Sequence, residues 1–81
     1  LDINKINGFA HYNMAIEYYN LGKMGDSVAK LIESGKSYSL EGKKDKILMV
    51  LSTLDAIQKE GIDIDENSYK ILEAKFNEFN K

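Results

Sequence analysis

The fold is decided by residues 24–57, MGDSVAKLIESGKSYSLEGKKDKILMVLSTLDAI. On either side of Gly42, apolar residues recur every three or four positions, which is the period of a helix with one buried face. The stripe before the glycine holds Met24, Val28, Leu31, Ile32, Gly35 and Tyr38, and the stripe after it holds Ile47, Val50, Leu51, Leu54 and Ile57. A glycine between two such stripes is typical of a left-handed helix cap. The segment therefore predicts two amphipathic helices joined by a short turn.

Two more glycines extend this pattern toward both ends of the chain. Gly22 and Gly61 also follow helical stretches, so the chain divides into four parts. We expect helices over about 2–21, 26–40, 44–60 and 65–79. Because the connections are short, neighbouring helices should be antiparallel. The prediction is an all-α fold of about four short helices in two antiparallel hairpins, arranged as in a helical repeat or as an orthogonal or up-down bundle.

Composition narrows the class of protein. The 81 residues carry a net charge of −2 and include no cysteine and no proline. Balanced charge gives no basic field for nucleic acid, and the lack of cysteine rules out disulfides and thiolate metal sites. No apolar run approaches the roughly 18 residues of a membrane span, so we expect a soluble protein. We expect residues 1–81 to form one domain, cut from a longer chain and more consistent with an intracellular than a secreted protein.

The first predicted helix differs from the others because it is apolar on two sides. One side holds Tyr12, Ala15, Ile16 and Tyr19, and the other holds Ile3, Ala10, Met14, Tyr18 and Leu21. Such a helix must be buried between layers or must present one face to a partner. Tyrosine offers a large contact area at low entropic cost. We therefore predict Tyr12, Ile16 and Tyr19 as partner-binding residues, with core packing of the tyrosines as the alternative.

One short motif suggests a calcium site but fits helix structure better. Asp63, Asp65 and Asn67 begin like a calcium loop, yet Ser68 stands where glycine is needed and Ala74 where a bidentate carboxylate is needed. We expect these acidic residues to cap the fourth helix instead, at Asp63 or Asp65.

Phosphate binding is suggested by two other short features. Gly35-Lys36-Ser37 is similar to the end of a phosphate-binding loop, but no strand precedes it, and we expect Gly35 to let a neighbouring helix approach closely. Lys43, Lys44 and Lys46 are interspersed with acidic residues, as in a solvated turn.

His11 is the only histidine, so a histidine-based metal site or catalytic triad has a single candidate. We predict no enzyme activity, no catalytic or metal site and no cofactor.

The stretch HYNMAIEYYNLGKMGDSVAKL, residues 11–31, resembles one tetratricopeptide repeat. Ala15 stands at the small position of the first helix, Tyr18 at the aromatic position and Gly22 at the glycine. Leu31 stands at the large apolar position of the second helix. The closing proline of the family is missing, and no second copy follows at the period of about 34 residues. The resemblance implies paired antiparallel helices that bind a protein or peptide.

A pentatricopeptide repeat is a second resemblance. It rests on Tyr12-Asn13 before an apolar helix, on Gly22-Lys23-Met24 and on LSTLDAIQKEGIDIDENSYKIL, residues 51–72. This family binds single-stranded RNA, one base per repeat. The matching Tyr12 and Tyr69 do not fit its spacing, and the mildly acidic charge disfavours RNA. We therefore expect a non-enzymatic interaction module with a protein or peptide partner or self-association; RNA binding and a purely structural helical segment remain the alternatives.

Overall fold

A computed structural model describes residues 7–79, which form four α-helices and no strand. The helices are α1 (Gly8–Asn20), α2 (Met24–Leu40), α3 (Lys44–Lys59) and α4 (Glu66–Glu78). The predicted all-α fold is confirmed, and α2, α3 and α4 begin and end within about two residues of the predicted bounds. The predicted start of the first helix near residue 2 is wrong, because Asn7 caps α1 and its side-chain oxygen accepts from the Ala10 amide at 2.8 Å. The predicted apolar Ile3 lies outside the described residues.

The three predicted glycine caps are confirmed. Gly22, Gly42 and Gly61 have φ angles of 77°, 71° and 93°, a backbone region that glycine adopts without strain. At the end of α1, the Lys23 amide donates to the Tyr18 carbonyl at 2.9 Å, and a matching bond joins Lys43 to Tyr38 at the end of α2. These bonds satisfy carbonyls that a helix end would otherwise leave free. Each turn is therefore short, and α1 and α3 both run antiparallel to α2.

The core is formed by the stripes of α2 and α3 together with one residue from each outer helix. All five stripe residues of α3 are buried, as are Val28, Leu31, Ile32, Gly35 and Tyr38 of α2. Only Ala15 of α1 and Leu72 of α4 join this core as fully buried apolar side chains. α2 contacts all three other helices. The described residues form a slab of 34 × 33 × 18 Å, which is about two helix diameters thick.

Glycine allows close contact at two helix crossings. Gly35 is buried against Leu72 of α4, and a Cβ atom added there would lie 2.7 Å from the Leu72 methyl carbons. This confirms the predicted role of Gly35. Gly8, at the start of α1, lies against the ring of Tyr38, where an added Cβ would come within 2.5 Å of a ring carbon. α1 thus sits on α2 with almost no space between the backbone and the ring.

Two buried serines hold α1 to α2. The Ser27 hydroxyl donates to the Ala15 carbonyl at 2.8 Å, and the Ser34 hydroxyl donates to the Gly8 carbonyl at 2.7 Å. The carboxylate of Glu41 accepts from the Gly8 amide at 3.0 Å, so it places negative charge at the positive end of α1. Small side chains allow the two helices to approach closely, while their hydroxyls are satisfied by backbone carbonyls.

We expect Ser34→Ala to lower the free energy of unfolding by about 0.5–1.5 kcal/mol, because a buried hydrogen bond is lost. Urea denaturation followed by circular dichroism measures the change. Ser52→Ala is the matched control, because Ser52 is exposed on α3. Equal stability of the two variants would contradict a contribution of the Ser34 bond to the α1–α2 contact.

Candidate interaction surfaces

The first surface is the strip of α1 formed by Tyr12, Ile16 and Tyr19, called here the α1 strip. These are the three residues that the sequence predicts to bind a partner. Tyr12 and Tyr19 are half-buried and pack against the core, while Ile16, one turn from each, is 37% exposed. The structure therefore brings the three residues together and leaves an apolar side chain open to solvent between two aromatic rings.

Both tyrosines of the α1 strip use their hydroxyls to reach α3 or the residue that caps its C-terminal end. Thr53 donates its own proton to the Met49 carbonyl, so the Tyr12 hydroxyl donates to Thr53 Oγ1 at 3.0 Å. The Tyr19 hydroxyl donates to the Glu60 carboxylate at 2.5 Å, and this bond is the main cause that raises the pKa of Tyr19. Each bond joins residues 41 positions apart, so α1 and α3 run in the same direction with a constant offset of 41 residues.

The opposite side of α1 is only partly covered. Met14 and Tyr18 are half-buried and line a shallow hollow with Glu17 and Leu21, and Leu21 is more than half exposed. Phe9, at the start of the helix, is also more than half exposed. In α1 only Gly8 and Ala15 are fully buried. A helix rich in apolar and aromatic side chains thus rests on α2 through two of its smallest residues and keeps apolar surface on both sides.

The second surface is a groove of about 380 Å³ between the C-terminal parts of α2 and α4, called here the α2/α4 groove. Its apolar lining is Leu40, Ile71, Leu72 and Phe79. Leu72 is fully buried at the base, whereas Leu40 is 91% exposed, Ile71 49% and Phe79 40%. Phe79 is the residue at which α4 ends, and no further helix covers it in the described part of the chain.

Charged side chains border the α2/α4 groove. Lys36 lines it from α2, and Lys75 and Glu78 line it from α4. Lys36 contacts Glu33 at 3.6 Å, but both side chains are about half exposed, and such surface pairs contribute little. The two lysines on facing walls make the groove weakly positive around an apolar floor.

Sequence reasoning missed the α2/α4 groove, although a signal was present. Leu40 and Ile71 lie off the apolar stripes of their helices, on the sides that periodicity assigns to solvent. A large apolar residue away from the stripe is by itself ordinary on a protein surface. Only the crossing of α2 and α4 at Gly35 and Leu72 brings these two side chains into one groove.

Two of the three lysines near the start of α3 have contacts within the domain. Lys43 contacts the Glu41 carboxylate at 3.4 Å, and the Lys44 ammonium lies 5.7 Å above the centre of the Phe76 ring. A cation over an aromatic face is a stabilising contact. The Lys43 contact lies within the turn between α2 and α3, and the Lys44 contact joins α3 to α4.

The acidic residues before α4 have a structural role. Asp65 occupies the predicted capping position of α4, but its carboxylate makes no capping hydrogen bond to a helix amide and instead accepts from the Ser68 hydroxyl at 2.8 Å. That hydrogen bond lowers the pKa of Asp65. Among residues 7–79, no three carboxylate or imidazole side chains come together as metal ligands do.

Tyr69 connects α4 to α3 and gives the domain a dependence on alkaline pH. Its hydroxyl donates to Asp55 at 2.9 Å. Burial first, and then the bond to Asp55, raise the pKa of Tyr69 to about 12 from 10.0. The folded state thus holds the phenol proton more tightly than the unfolded chain does. The stabilisation is present below pH 10 and is lost as the pH rises toward about 12.

We expect the free energy of unfolding to fall between pH 10 and about 12, and Tyr69→Phe to flatten that fall. Urea denaturation at several pH values measures it, with tyrosinate absorbance as a second readout. In Asp55→Asn, Tyr69 should ionise at lower pH than in the wild type, because one cause of its raised pKa is gone. A fall of the same steepness in Tyr69→Phe would contradict the assignment.

The described residues thus present two partly apolar surfaces, the α1 strip and the α2/α4 groove, with different charge around them. No helix among these residues has the length and apolar character needed to cross a membrane. Comparison of the chain with protein-family models, with curated proteins and with solved structures gave no match.

Proposed function

We propose that this protein is a non-enzymatic interaction module that binds a protein or peptide partner along the α1 strip. The observation that carries the proposal is the exposed side chain of Ile16 between the rings of Tyr12 and Tyr19. Aromatic residues that are already fixed on one side lose little freedom when a partner covers the other side. The two hydroxyl bonds to α3 fix both rings in this way.

The arrangement of the helices supports an extended binding face. α1 and α3 run parallel, and stacked helical hairpins use such neighbouring helices to build a continuous surface. The offset of 41 residues between them is longer than the period of about 34 residues of a tetratricopeptide repeat. The proposal therefore rests on paired, stacked helices and does not require the register of that family.

The charge of α1 favours protein over RNA as the partner. α1 contains no lysine or arginine, and its charged residue Glu17 is acidic. A surface that binds single-stranded RNA combines aromatic rings with cations that follow the backbone. The α1 strip has the rings without the cations, so an uncharged or basic peptide segment suits it better.

Site-specific photocrosslinking tests the proposal. A photoreactive phenylalanine analogue replaces Ile16 in the cells that produce the protein. We expect a discrete protein adduct that reproduces between preparations. The same analogue at Leu48, an exposed apolar residue of α3, is the matched control and should give no such adduct. No adduct at residue 16, or one that ribonuclease digests, would contradict the proposal.

Ile16→Asp should separate binding from folding. Because Ile16 is only partly exposed, we expect its replacement to lower the free energy of unfolding by about 1–2 kcal/mol, which should leave the domain folded. In this variant the photoreactive analogue replaces Asn13, on the neighbouring turn, because position 16 is occupied by Asp. We expect the charge between the two tyrosine rings to abolish the crosslink from position 13. A crosslink of unchanged yield in folded Ile16→Asp would show that the partner binds elsewhere.

A further inference from the structure

We propose that the α2/α4 groove binds an amphipathic helix of a partner protein whose apolar face is flanked by acidic side chains. The inference belongs to the same class of function as the one proposed for the α1 strip, but it concerns a separate surface and adds the chemistry of the partner. No residue of α1 lines the groove.

The shape of the groove favours a helix over a small molecule. Its volume of about 380 Å³ is enough for a small ligand, but Leu40 on its rim is 91% exposed. A small ligand is normally enclosed over most of its surface. A larger ligand, such as a segment of a protein, can cover Leu40 from the solvent side while its side chains insert toward Leu72. A helix laid between two helices does this with residues spaced three and four apart.

The apolar lining is arranged along such a path. Leu40 lies at the end of α2, Ile71 lies in α4, and Phe79 is the residue that follows α4, about two turns beyond Ile71. All three retain large exposed fractions in the isolated chain, so an occupant would remove apolar surface from water on both walls. The gain does not depend on rearrangement of the core, because Leu72 and Gly35 already fix the crossing of the two helices.

The charges decide the chemistry of the occupant. Lys36 and Lys75 face the groove from opposite walls, and Glu78 is the one acidic residue that lines it. The loose contact of Lys36 with Glu33 leaves the ammonium group free to turn toward a partner. A helix with acidic residues on both sides of its apolar face would meet one lysine on each wall. A basic helix would meet like charge there, which selects against it.

Two synthetic helical peptides test this inference against the full chain. Both carry leucine at positions i, i+3, i+4 and i+7; one carries glutamate at the flanking positions and the other carries lysine. Fluorescence anisotropy measures binding at low and at moderate salt. We expect the glutamate peptide to bind about ten-fold more tightly than the lysine peptide at low salt, and the difference to shrink as salt is added. Equal binding of the two peptides, or binding of neither, would overturn the inference.

Variants locate the binding in the groove. Leu40→Ser should weaken the glutamate peptide about ten-fold without affecting folding, because Leu40 is almost fully exposed. Leu21→Ser, at an exposed leucine directly after α1, is the matched control and should not weaken it. The double variant Lys36→Glu with Lys75→Glu should reverse the preference between the peptides. An unchanged preference in this double variant would overturn the inference.

Two further outcomes separate this inference from the function proposed for α1. If light scattering shows that the wild type is a dimer and that Leu40→Ser is a monomer, the groove binds a second copy of the chain. That result would overturn the inference of a partner helix. If neither peptide binds while the crosslink at residue 16 persists, the inference for the α2/α4 groove is overturned and the function proposed for the α1 strip is kept. If the glutamate peptide binds but the crosslink at residue 16 is absent, the function proposed for the α1 strip is contradicted and the inference for the groove is kept.

Discussion

Leu31→Ala should lower the free energy of unfolding by about 2–5 kcal/mol, the largest effect expected of the substitutions considered for this domain. Leu31 has no exposed surface and lies in the middle of α2. α2 is the helix that contacts all three others, so a cavity there weakens the centre of the slab. Domains of this size have a total stability of about 5–15 kcal/mol or less. The variant should therefore be partly unfolded at physiological temperature.

Leu48→Ala is the matched control for this prediction, because the same atoms are removed from a leucine that is half exposed on α3. Its loss should be about 1 kcal/mol or less. Urea denaturation of both variants, followed by circular dichroism, gives the comparison. Similar losses at the two positions would mean that α2 is not the centre of the core.

Gly8→Ala should also destabilise the domain, by about 1–3 kcal/mol, although alanine usually favours a helix. The added carbon would lie within 2.5–2.7 Å of three carbons of the Tyr38 ring. The ring is only 2% exposed, so it cannot turn away into solvent. Relief of the overlap requires α1 to shift on α2, which strains the Ser34 and Glu41 bonds to Gly8.

Gly25→Ala is the matched control for this second prediction. Gly25 lies in α2, and a carbon added there has no neighbour within 4 Å. This change should leave stability unaltered or raise it, by up to about 1 kcal/mol. Tyr38→Ala combined with Gly8→Ala should cost less than the sum of the two single changes, because the overlap is gone. Strict additivity would show that the ring is not the cause.

The sequence was sufficient to predict the helices and most of the core. Glycines at the helix ends and apolar stripes of helical period act within one segment, so a single chain reveals them. The stripe residues of α3 are all buried, as predicted. The predicted start of the first helix was wrong, because the Asn7 side chain caps α1 there.

The interaction surfaces could be predicted less well, because they depend on how helices cross. Periodicity showed that α1 is apolar on two sides, but not that it rests on α2 through Gly8 and Ala15. It placed Tyr12 and Tyr19 on one face, but their hydroxyl bonds to α3 require a partner residue 41 positions away. Leu40 and Ile71 become one groove only after α2 and α4 cross. Whether the α1 strip binds a partner stays a prediction.

The most direct test of the central claim, that α1 keeps an apolar face available for a partner, combines light scattering over a concentration series with binding of a hydrophobic dye. We expect either a dimer, or a monomer that binds the dye and still unfolds cooperatively. We expect Ile16→Asp to reduce the dimer fraction in the first case and the dye fluorescence in the second. A cooperative monomer that binds no dye at any concentration would mean that the domain covers this face itself, and would contradict the account.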